Sequence, residues 1–519
     1  MKKIALVIIS IAFLLCSCSP RQDSGPALTA PELKDTISLF MDPPDTLHPL
    51  YTTQSTNEKA YSLIYDSLLY VKDDMTVEGQ LAENVTVSRD ARSIRIALKD
   101  GIFWHDGKPF TADDVKYTFD LIKKRDPVST YQSRLADMSS IIVNDKLHCT
   151  LYLKRANARI IYLLDFPIVP AHRTDIDVSP CGTGRYMFKE LVPNKHMLLT
   201  KNTLWAIGNI PIEENVSVKI LRNTNDLISV FKVGDISAVA ADTSDIASIG
   251  YDENIGIEKY PTLKYEYIGF NLMEGSFSDP PVRKAVSAAI NRQAILRDAY
   301  FGYGEAVNSP IPPASFMYNK EADKCEYTEN AFRDILAQAG YADSNADGIY
   351  DKSTDAGFTQ IQGTLLVNSE NPSRVICANL IASQLSQSGM NVSVEALPWD
   401  DYLNRLYNGE FTMFLAGTDF AQSLDLAPLL SSASVIGGLN FMNYCSTDMD
   451  SAITATYSAI TNEDAEKAYL NIQYVFTRDM PISGLFFLEG ALLHSPKLHG
   501  VSSPCDSKVY NSINNWYFK

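Results

Sequence analysis

The chain has 519 residues, 45% of them hydrophobic, and a formal net charge of −17 at pH 7. A chain of this length can bury a large core and is expected to divide into two or more domains. Its negative charge argues against nucleic acid and against an anionic membrane surface as partners.

The N-terminus has the three parts of an export signal. Two lysines follow Met1, residues 4–15 form an apolar run too short for a stable membrane anchor, and Leu15-Cys16-Ser17-Cys18 comes next. This last sequence resembles a bacterial lipobox with Cys18 as the lipidated residue. We therefore predict a lipoprotein signal at 1–18 and a flexible Ser/Pro/Ala/Gly-rich tether at 19–35. The alternative is an ordinary secretory signal followed by a disordered start.

Alternating apolar residues predict two strand pairs on either side of a capped helix. Residues 84–98 alternate around an Arg89-Asp90 turn, and residues 141–153 around Asn144-Asp145. Between them, Thr111 is followed three residues later by Asp114, a capping box that predicts a helix running through Phe119. This part of the chain is therefore predicted to be rich in β-structure.

Strands and helices alternate in the second half. A predicted strand at 265–271 precedes Asp279-Pro280, a helix start whose apolar residues recur at helical spacing as far as Ile295. A strand at 364–367, a helix at 374–388 and a strand at 391–396 form a β-α-β unit. A helix at 463–478 and an apolar strand at 482–488 follow. This alternation predicts an α/β lobe.

Gly101 to Phe119, GIFWHDGKPFTADDVKYTF, resembles the signature of the family 5 extracytoplasmic solute-binding proteins of ABC importers, which bind peptides or nickel. Two departures from the family pattern, Arg185 for the usual Pro and Asn291 for the usual Asp, are interpreted as changes in a loop or on a helix surface. Blocks similar to those of the family follow in the same order, and together they span about 47–501: Gly182-Thr183-Gly184-Arg185-Tyr186, Lys201-Asn202 with Trp205, Val233-Gly234-Asp235-Ile236, Phe270-Asn271, and Val282 to Arg292.

The resemblance implies a two-lobed α/β periplasmic-binding-protein fold with an extra β-rich subdomain. The ligand cleft would lie between lobes joined by two hinge crossings, near Phe270-Asn271 and Gly484 to Phe487, and would close around the ligand. The implied limits are 36–55, 182–270 and 486–519 for lobe I, 56–181 for its extra subdomain, and 271–485 for lobe II.

The same resemblance implies transport. The protein would capture peptides and deliver them to the permease subunits of an ABC importer. It would be a monomer held by its N-terminal lipid in the periplasm or on the outer face of the cell membrane. The alternative ligands are a murein peptide, a nickel chelate and haem.

In family members that bind oligopeptides, the second lobe carries G-W-x-x-D, whose Asp pairs with the α-ammonium of the peptide. A buried ammonium needs such a counter-charge. Here the segment reads Gly417-Thr418-Asp419-Phe420-Ala421, without the Trp and with Ala at the place of the acid. Asp419, beside Thr418, is the predicted replacement, and Asp425 a more distant one. Trp399 matches the aromatic residue of the family just upstream, and with Tyr402 is predicted to line the pocket; core packing is the alternative for Trp399.

The first lobe is expected to contribute the segment after Asp45-Thr46-Leu47-His48-Pro49, which resembles the x-x-L-D-P strand end of the family with His48 replacing Asp. The loop that follows would face the cleft through Thr52 and Thr53 and pair its backbone with an extended peptide. Asn368-Ser369 is the matching turn from the second lobe. The alternative for all of these is a plain loop.

No catalytic residue, metal site or cofactor is predicted. The seven histidines show no H-x-x-x-H or H-E-x-x-H spacing. Asp343 to Asp351 matches the first half of an EF-hand loop, but its twelfth position is Thr354 rather than Glu, which argues against calcium. No nucleophile elbow, phosphate loop or matched Cys–His pair is present, so an enzyme is not expected. The cysteines other than Cys16 and Cys18 form no C-x-x-C and are expected to be mostly buried thiols, with room for one disulfide.

Overall fold

The computed structural model of this chain describes residues 36–124, 126–222, 227–241, 254–323, 327–328, 330–354 and 357–519. The predicted signal, Cys18 and the tether lie outside these residues. Within them, no helix is long and apolar enough to cross a membrane.

Strands supply the framework. The strands of the first half are β1 Thr36–Met41, β2 Leu69–Val71, β3 Val77–Gly79, β4 Ala82–Val87, β5 Ser93–Leu98, β6 Met138–Asp145, β7 His148–Leu153, β8 Tyr186–Val192, β9 His196–Lys201, β10 Asn215–Ile220 and β11 Ala238–Ala241. The remaining strands are β12 Gly256–Phe270, β13 Gly304–Ala306, β14 Asp351–Thr354, β15 Gly357–Gln360, β16 Gln362–Asn368, β17 Asn391–Leu397, β18 Met413–Asp419, β19 Ile482–His494, β20 Leu498–His499 and β21 Tyr517–Phe518.

The helices cluster in the second half. The α-helices are α1 Ser55–Tyr61, α2 Ala112–Ile122, α3 Leu227–Lys232, α4 Pro280–Ala289, α5 Arg292–Tyr300, α6 Ala331–Gln338, α7 Pro372–Gln387, α8 Trp399–Tyr407, α9 Ala427–Leu430, α10 Thr447–Tyr457 and α11 Asn462–Asp479. Short 3-10 helices include Ala158–Leu163.

Three large sheets organise these elements. One has the order β1-β10-β9-β8, a second β4-β5-β7-β6, and a third, seven-stranded sheet runs β11-β19-β12-β18-β16-β17 with β13 beside β19. Both predicted strand pairs are present as β4–β5 and β6–β7. The β16-α7-β17 unit is also confirmed, because β16 and β17 pair in parallel. The mixture of sheets and helices agrees with the predicted α/β class.

Two long strands, β12 and β19, run through the whole seven-stranded sheet. The first part of β12, Gly256 to Pro261, pairs with the last part of β19, Glu489 to His494, and β11 lies on the other side of β19 there. The second part of β12, Lys264 to Phe270, pairs with β18. The register of the β12–β19 pair shifts between Pro261 and Tyr265. We place the lobe crossing at this shift and use "first lobe" for residues 36–261 and 488–519 and "second lobe" for residues 265–487. The limits predicted from the sequence, with a crossing at Phe270-Asn271, remain predictions.

Two sequence interpretations are corrected by the structure. The helix predicted to run from Pro280 to Ile295 is two helices, because the chain leaves the helical conformation at Ile290 and Asn291 caps the next helix by accepting a hydrogen bond from Ala294 N at 3.0 Å. Arg185 is not on a surface loop. It is buried, stacks 4.9 Å from the Trp205 ring and donates to Asn511 O at 2.8 Å, and burial lowers the pKa of its guanidinium.

The capping box forms as predicted, and Asp114 does more than cap. Its carboxylate accepts hydrogen bonds from Thr111 N at 2.9 Å, Ala171 N at 2.8 Å and the Trp104 indole at 3.3 Å. Asp114 and Trp104 are both buried. The signature segment therefore joins helix α2 to the turn before it and to the loop at 171.

Replacing Asp114 with Ala should lower the free energy of unfolding by at least about 2 kcal/mol, because buried donors are left without an acceptor. The neighbouring Asp113 is exposed in the same helical turn and provides the control, for which a change within about 0.5 kcal/mol is expected. Urea unfolding followed by circular dichroism measures both. Equal losses for the two variants would show that the carboxylate acts only through the helix dipole.

Candidate ligand-binding site

The carboxyl ends of three neighbouring strands gather most of the residues predicted to bind ligand. Strands β16, β17 and β18 end at Asn368, Leu397 and Asp419, and β16 runs parallel to both of the others. In open α/β sheets this edge is where ligands bind. Ser369 follows β16, Trp399 follows β17, and Thr418 and Asp419 close β18. The structure thus brings the second-lobe residues of the prediction to one edge.

Strand β18 extends beyond its parallel neighbour. It pairs with β16 only as far as Phe414, whereas it pairs with β12 through Asp419. In the described part of the chain, no strand covers the β16 side of Ala416 to Asp419. This side is thus left with main-chain groups that an extended ligand could use.

Charged groups from both lobes meet beside the end of β18. Asp419 lies across from Lys264 on β12. Asp506, in the C-terminal loop of the first lobe, lies within electrostatic reach of Asp419, Lys264 and Lys59. Although both carboxyls reach solvent, partial burial raises their pKa values; that of Asp506 reaches about 6, with a further contribution from the negative charge of Asp419. The charge of Asp419 therefore acts on Asp506, an acid of the other lobe.

A third acid extends this negative region. Burial raises the pKa of Asp73, in the turn between β2 and β3, to about 6, and the charges of Asp506 and Asp74 add to the effect. Three carboxyls whose ionisation is disfavoured without ligand would be stabilised by a bound cation.

Two aromatic rings form one wall of the same edge. The Trp399 ring stacks on Tyr402 with centroids 5.9 Å apart, and the Tyr402 hydroxyl donates to Leu415 O on β18 at 2.8 Å. Tyr402 is buried, but Trp399 keeps 47% of its surface exposed, so it is not a core residue. Trp399 is also held by its backbone N–H, which donates to the Glu370 carboxylate at 2.8 Å. A half-exposed Trp that packs on a buried Tyr is suited to contact a ligand.

Sequence reasoning missed an ion pair under this edge. The Arg374 guanidinium, at the start of α7, donates from Nε and Nη2 to the two oxygens of the buried Glu266, both at 2.8 Å. A side chain at Gly417 would collide with this pair, which explains the glycine. The available signal was Glu266 itself, an acid within an apolar strand, which requires a buried partner.

The ion pair also orients Asn368. Arg374 Nη1 donates to Asn368 Oδ1 at 3.4 Å. Asn368 is 6% exposed, and its amide nitrogen makes no hydrogen bond with the described residues. This nitrogen is therefore a free donor at the edge where the ligand is predicted to lie.

The predicted first-lobe loop is hydrogen-bonded to itself. The hydroxyls of Thr52 and Thr53 and the Thr53 amide donate to the Asp45 carboxylate, at 2.7, 3.1 and 2.8 Å. His48 stacks on Tyr51 at 4.3 Å and accepts from Leu50 N, and burial lowers its pKa to about 4. The side chains of this loop therefore shape the first lobe, and their contact with ligand remains a prediction.

The other candidate features lie elsewhere. In the loop from Asp343, the Asp343 carboxylate accepts from the backbone of Asp347 and Gly348, and among the described residues no group of three or more His, Cys, Asp or Glu could hold a metal ion. The described cysteines, Cys149, Cys181, Cys377, Cys445 and Cys505, are free thiols, and only Cys445 is exposed. Cys325 lies outside the described residues. A cavity of about 670 Å³ lined by Arg292, Asn308 and Asp323 lies within the second lobe, not at the cleft edge.

Comparison with known proteins identifies the family of this chain. Residues 76–434 match the family model of bacterial extracellular solute-binding proteins, family 5 Middle. The oligopeptide-binding protein AppA of Bacillus subtilis is 25% identical and aligns over 99% of each chain. The heme-binding protein A of Haemophilus influenzae is 22% identical over 97% of each chain.

A solved structure shows the same fold. The unliganded open form of the periplasmic murein tripeptide binding protein MppA has a TM-score of 0.81 at 18% identity, covering 94% of this chain and 98% of that one. The fold is therefore the two-lobed one that the sequence resemblance implied. Since the family model covers most of the chain, the protein belongs to the bacterial extracellular solute-binding proteins of family 5.

Proposed function

We propose that this protein is the substrate-binding lipoprotein of an ABC importer that captures peptides between its lobes and delivers them to membrane permease subunits. Family membership supports the receptor role, and the relative named as an oligopeptide-binding protein supports peptides. In this proposal the receptor works as a monomer, anchored through a lipid on Cys18.

The open side of Ala416 to Asp419 is the observation that carries the peptide assignment. A peptide in extended conformation can pair with these main-chain groups as a further strand. Such pairing gives affinity that does not depend on the side chains of the peptide. The free amide nitrogen of Asn368 and the exposed face of Trp399 lie at the same edge and can contact the peptide chain and one of its side chains. Such a site tolerates varied sequences, as a nutrient receptor requires.

The acids at the cleft support recognition of a free amine. Asp419 from the second lobe and Asp506 from the first lobe could both approach an ammonium group once the lobes close around it. This arrangement would replace the single Asp that the family motif places where Ala421 stands here. An ammonium between the two acids would also offset the repulsion by Asp419, which adds to the effect of burial on the pKa of Asp506.

Murein peptides, nickel chelates and haem are the alternatives within the same transport role. A murein peptide fits the same acids because it also carries an amine. Nickel would have to arrive as a chelate, because the described residues offer no cluster of metal ligands. Binding tests with these three probes beside ordinary peptides separate the alternatives.

Asp419→Asn should weaken binding of short peptides with a free N-terminus by about 2 kcal/mol, the lower end of the range for breaking a buried charge pair, because Asp506 remains. Calorimetric titration with a peptide and its N-acetylated form measures this. The unmodified receptor should prefer the free amine, and the variant should discriminate poorly. Asp400→Asn removes an exposed acid beside Trp399 and is the control. Equal binding of both peptide forms by the unmodified receptor would contradict amine recognition.

Acidification from pH 7.5 to pH 5 should weaken binding of the free-amine peptide more than that of its acetylated form. Asp506 and Asp73 have pKa values of about 6, so both lose their charge over this interval. Stability changes in the opposite sense. A carboxyl whose pKa is raised by folding binds its proton more tightly in the folded state, so the ligand-free protein should lose stability as the pH rises from about 4 to about 6. Asp506→Asn should flatten both profiles, and an unchanged binding profile in that variant would refute the assignment.

Cys18→Ser should abolish metabolic labelling by palmitate and release the protein from the membrane fraction. The reason is that the lipobox offers Cys18 as the acceptor thiol, whereas Cys16 follows the bulky Leu15. Cys16→Ser is the matched control and should label normally. Undiminished labelling of the Cys18 variant would exclude this anchor.

A further inference from the structure

The side chain of Arg159 extends from the first lobe into the second, where it is buried. It lies in the 3-10 helix Ala158–Leu163 and is 5% exposed. Its Nε donates to Ser423 O at 2.9 Å, its Nη2 donates to the same carbonyl, and its Nη1 donates to the Thr456 hydroxyl at 2.9 Å. A single side chain of the β-rich part of the chain therefore holds a loop and a helix of the opposite lobe.

The charge of Arg159 is well compensated where it lies. Asp425 Oδ1 is 3.5 Å from Nη1, and the Tyr457 hydroxyl donates to the same carboxylate at 2.9 Å. The guanidinium also lies over the rings of Tyr457 and Tyr469, at 5.3 and 5.8 Å from their centroids. A buried cation is tolerated only with partners of this kind, and removing the cation leaves those partners unpaired.

Arg159 holds the segment that continues strand β18 beyond Asp419. In this segment Leu424 has a left-handed backbone with φ of 47°, and its N–H donates to Ala421 O at 2.8 Å. The Tyr469 hydroxyl donates to Leu424 O at 2.9 Å, next to the Ser423 carbonyl bound by Arg159. A non-glycine residue keeps this conformation only where its surroundings impose it. Arg159 and Tyr469 together impose it here.

Other contacts between the same two parts of the molecule are apolar, belong to the backbone, or involve the Arg155 guanidinium, which lies 5.4 Å from the centroid of the Tyr457 ring. Tyr162 and Met75 are buried in the hydrophobic cluster of the second lobe, and Phe316 N donates to Asp74 O at 3.0 Å. The same hydrophobic cluster contains Phe420, Leu424 and Leu426 of the segment 420–426. Among the contacts described here, only Arg159 donates hydrogen bonds from the first lobe to that segment.

We infer that Arg159 is a positioning residue for the ligand site, a side chain from the first lobe that fixes segment 420–426 and thereby the end of β18 with Asp419. Any shift of the first lobe that moves Arg159 also moves the carbonyl of Ser423. The position of Asp419 is thus coupled to the relative position of the lobes. The inference rests on the proposed peptide function only where it concerns ligand affinity.

Amide hydrogen exchange on the ligand-free, full-length mature protein tests the structural part. Arg159→Met should accelerate exchange of the amides in 420–426 by roughly tenfold or more relative to the rest of the second lobe. Thr456→Val, which removes one of the partners, should have a smaller effect in the same segment. Arg155→Met is the matched control, because Arg155 is largely exposed, pairs with Asp137 and contacts the second lobe through the Tyr457 ring. Unchanged exchange in 420–426, or uniform acceleration across the second lobe, would overturn the inference.

Peptide binding tests the functional part. Arg159→Met should reduce the preference for a free-amine peptide over its acetylated form at least roughly fivefold, rather than weaken both equally, and Arg159→Lys should restore part of that preference. Equal weakening of both peptides would show a merely structural role and refute positioning. Should the unmodified receptor show no preference, amine recognition fails while the exchange result still decides whether Arg159 fixes the segment.

Discussion

The antiparallel pair of β12 and β19 is the constraint on which the rest of the structure depends. Each strand is long enough to serve both lobes, so the two halves of the molecule share one sheet. The pair is closely packed where it serves the second lobe: the Tyr265 hydroxyl donates to Asn308 O at 2.6 Å, and a side chain at Gly484 would collide with both groups. The register shift between Pro261 and Tyr265 interrupts this regularity at the place where we put the crossing between the lobes.

This shared sheet determines where the charges meet. Strand β18 pairs with β12 to its last residue and therefore carries Asp419 towards the first lobe. The C-terminal loop follows β19 and carries Asp506 towards the second lobe. Burial raises the pKa of both carboxyls, and the negative charge of Asp419 adds to the rise for Asp506, so their ionisation without a bound cation carries a free-energy cost. In this account a bound cationic group lowers the free-energy cost of ionising these carboxyls. The end of β18 and Trp399 provide contacts that do not depend on charge.

Local patterns in the sequence correctly predicted the structural features that depend on interactions between residues close in sequence. The capping box at Thr111 and Asp114, the two hairpins and the β16-α7-β17 unit all depend on residues that are near one another in the sequence, and all are present. The edge that gathers Asn368, Trp399 and Asp419 was also accessible, because parallel strands end on the same side of a sheet. The family resemblance implied the two-lobed fold, with which the solved structure agrees.

The features that sequence reasoning missed connect distant residues. Arg185 was interpreted as a surface change, yet it is buried against Trp205 and the C-terminal loop, whose residues lie more than 300 positions away. The residues of the Glu266–Arg374 pair are 108 positions apart, and Arg159 and Ser423 are 264 positions apart. A single sequence offers no periodicity or spacing for such pairs. It offers only charged residues in apolar surroundings, which indicate that a partner exists but not which one.

Trp399 emission during ligand titration tests the central claim, a peptide site at this edge of the cleft, most directly. Trp104, Trp205 and Trp516 are at most 8% exposed, so a change on binding can be assigned to Trp399 and checked with Trp399→Phe. We expect one class among di- to pentapeptides, murein peptides, nickel chelates and haem to shift the emission saturably. The same ligand should stabilise the fold by about 2.7 kcal/mol at a hundredfold excess over Kd, without being consumed. Saturable stabilisation with unchanged Trp399 emission would place the ligand elsewhere, and multiple turnover would contradict a receptor.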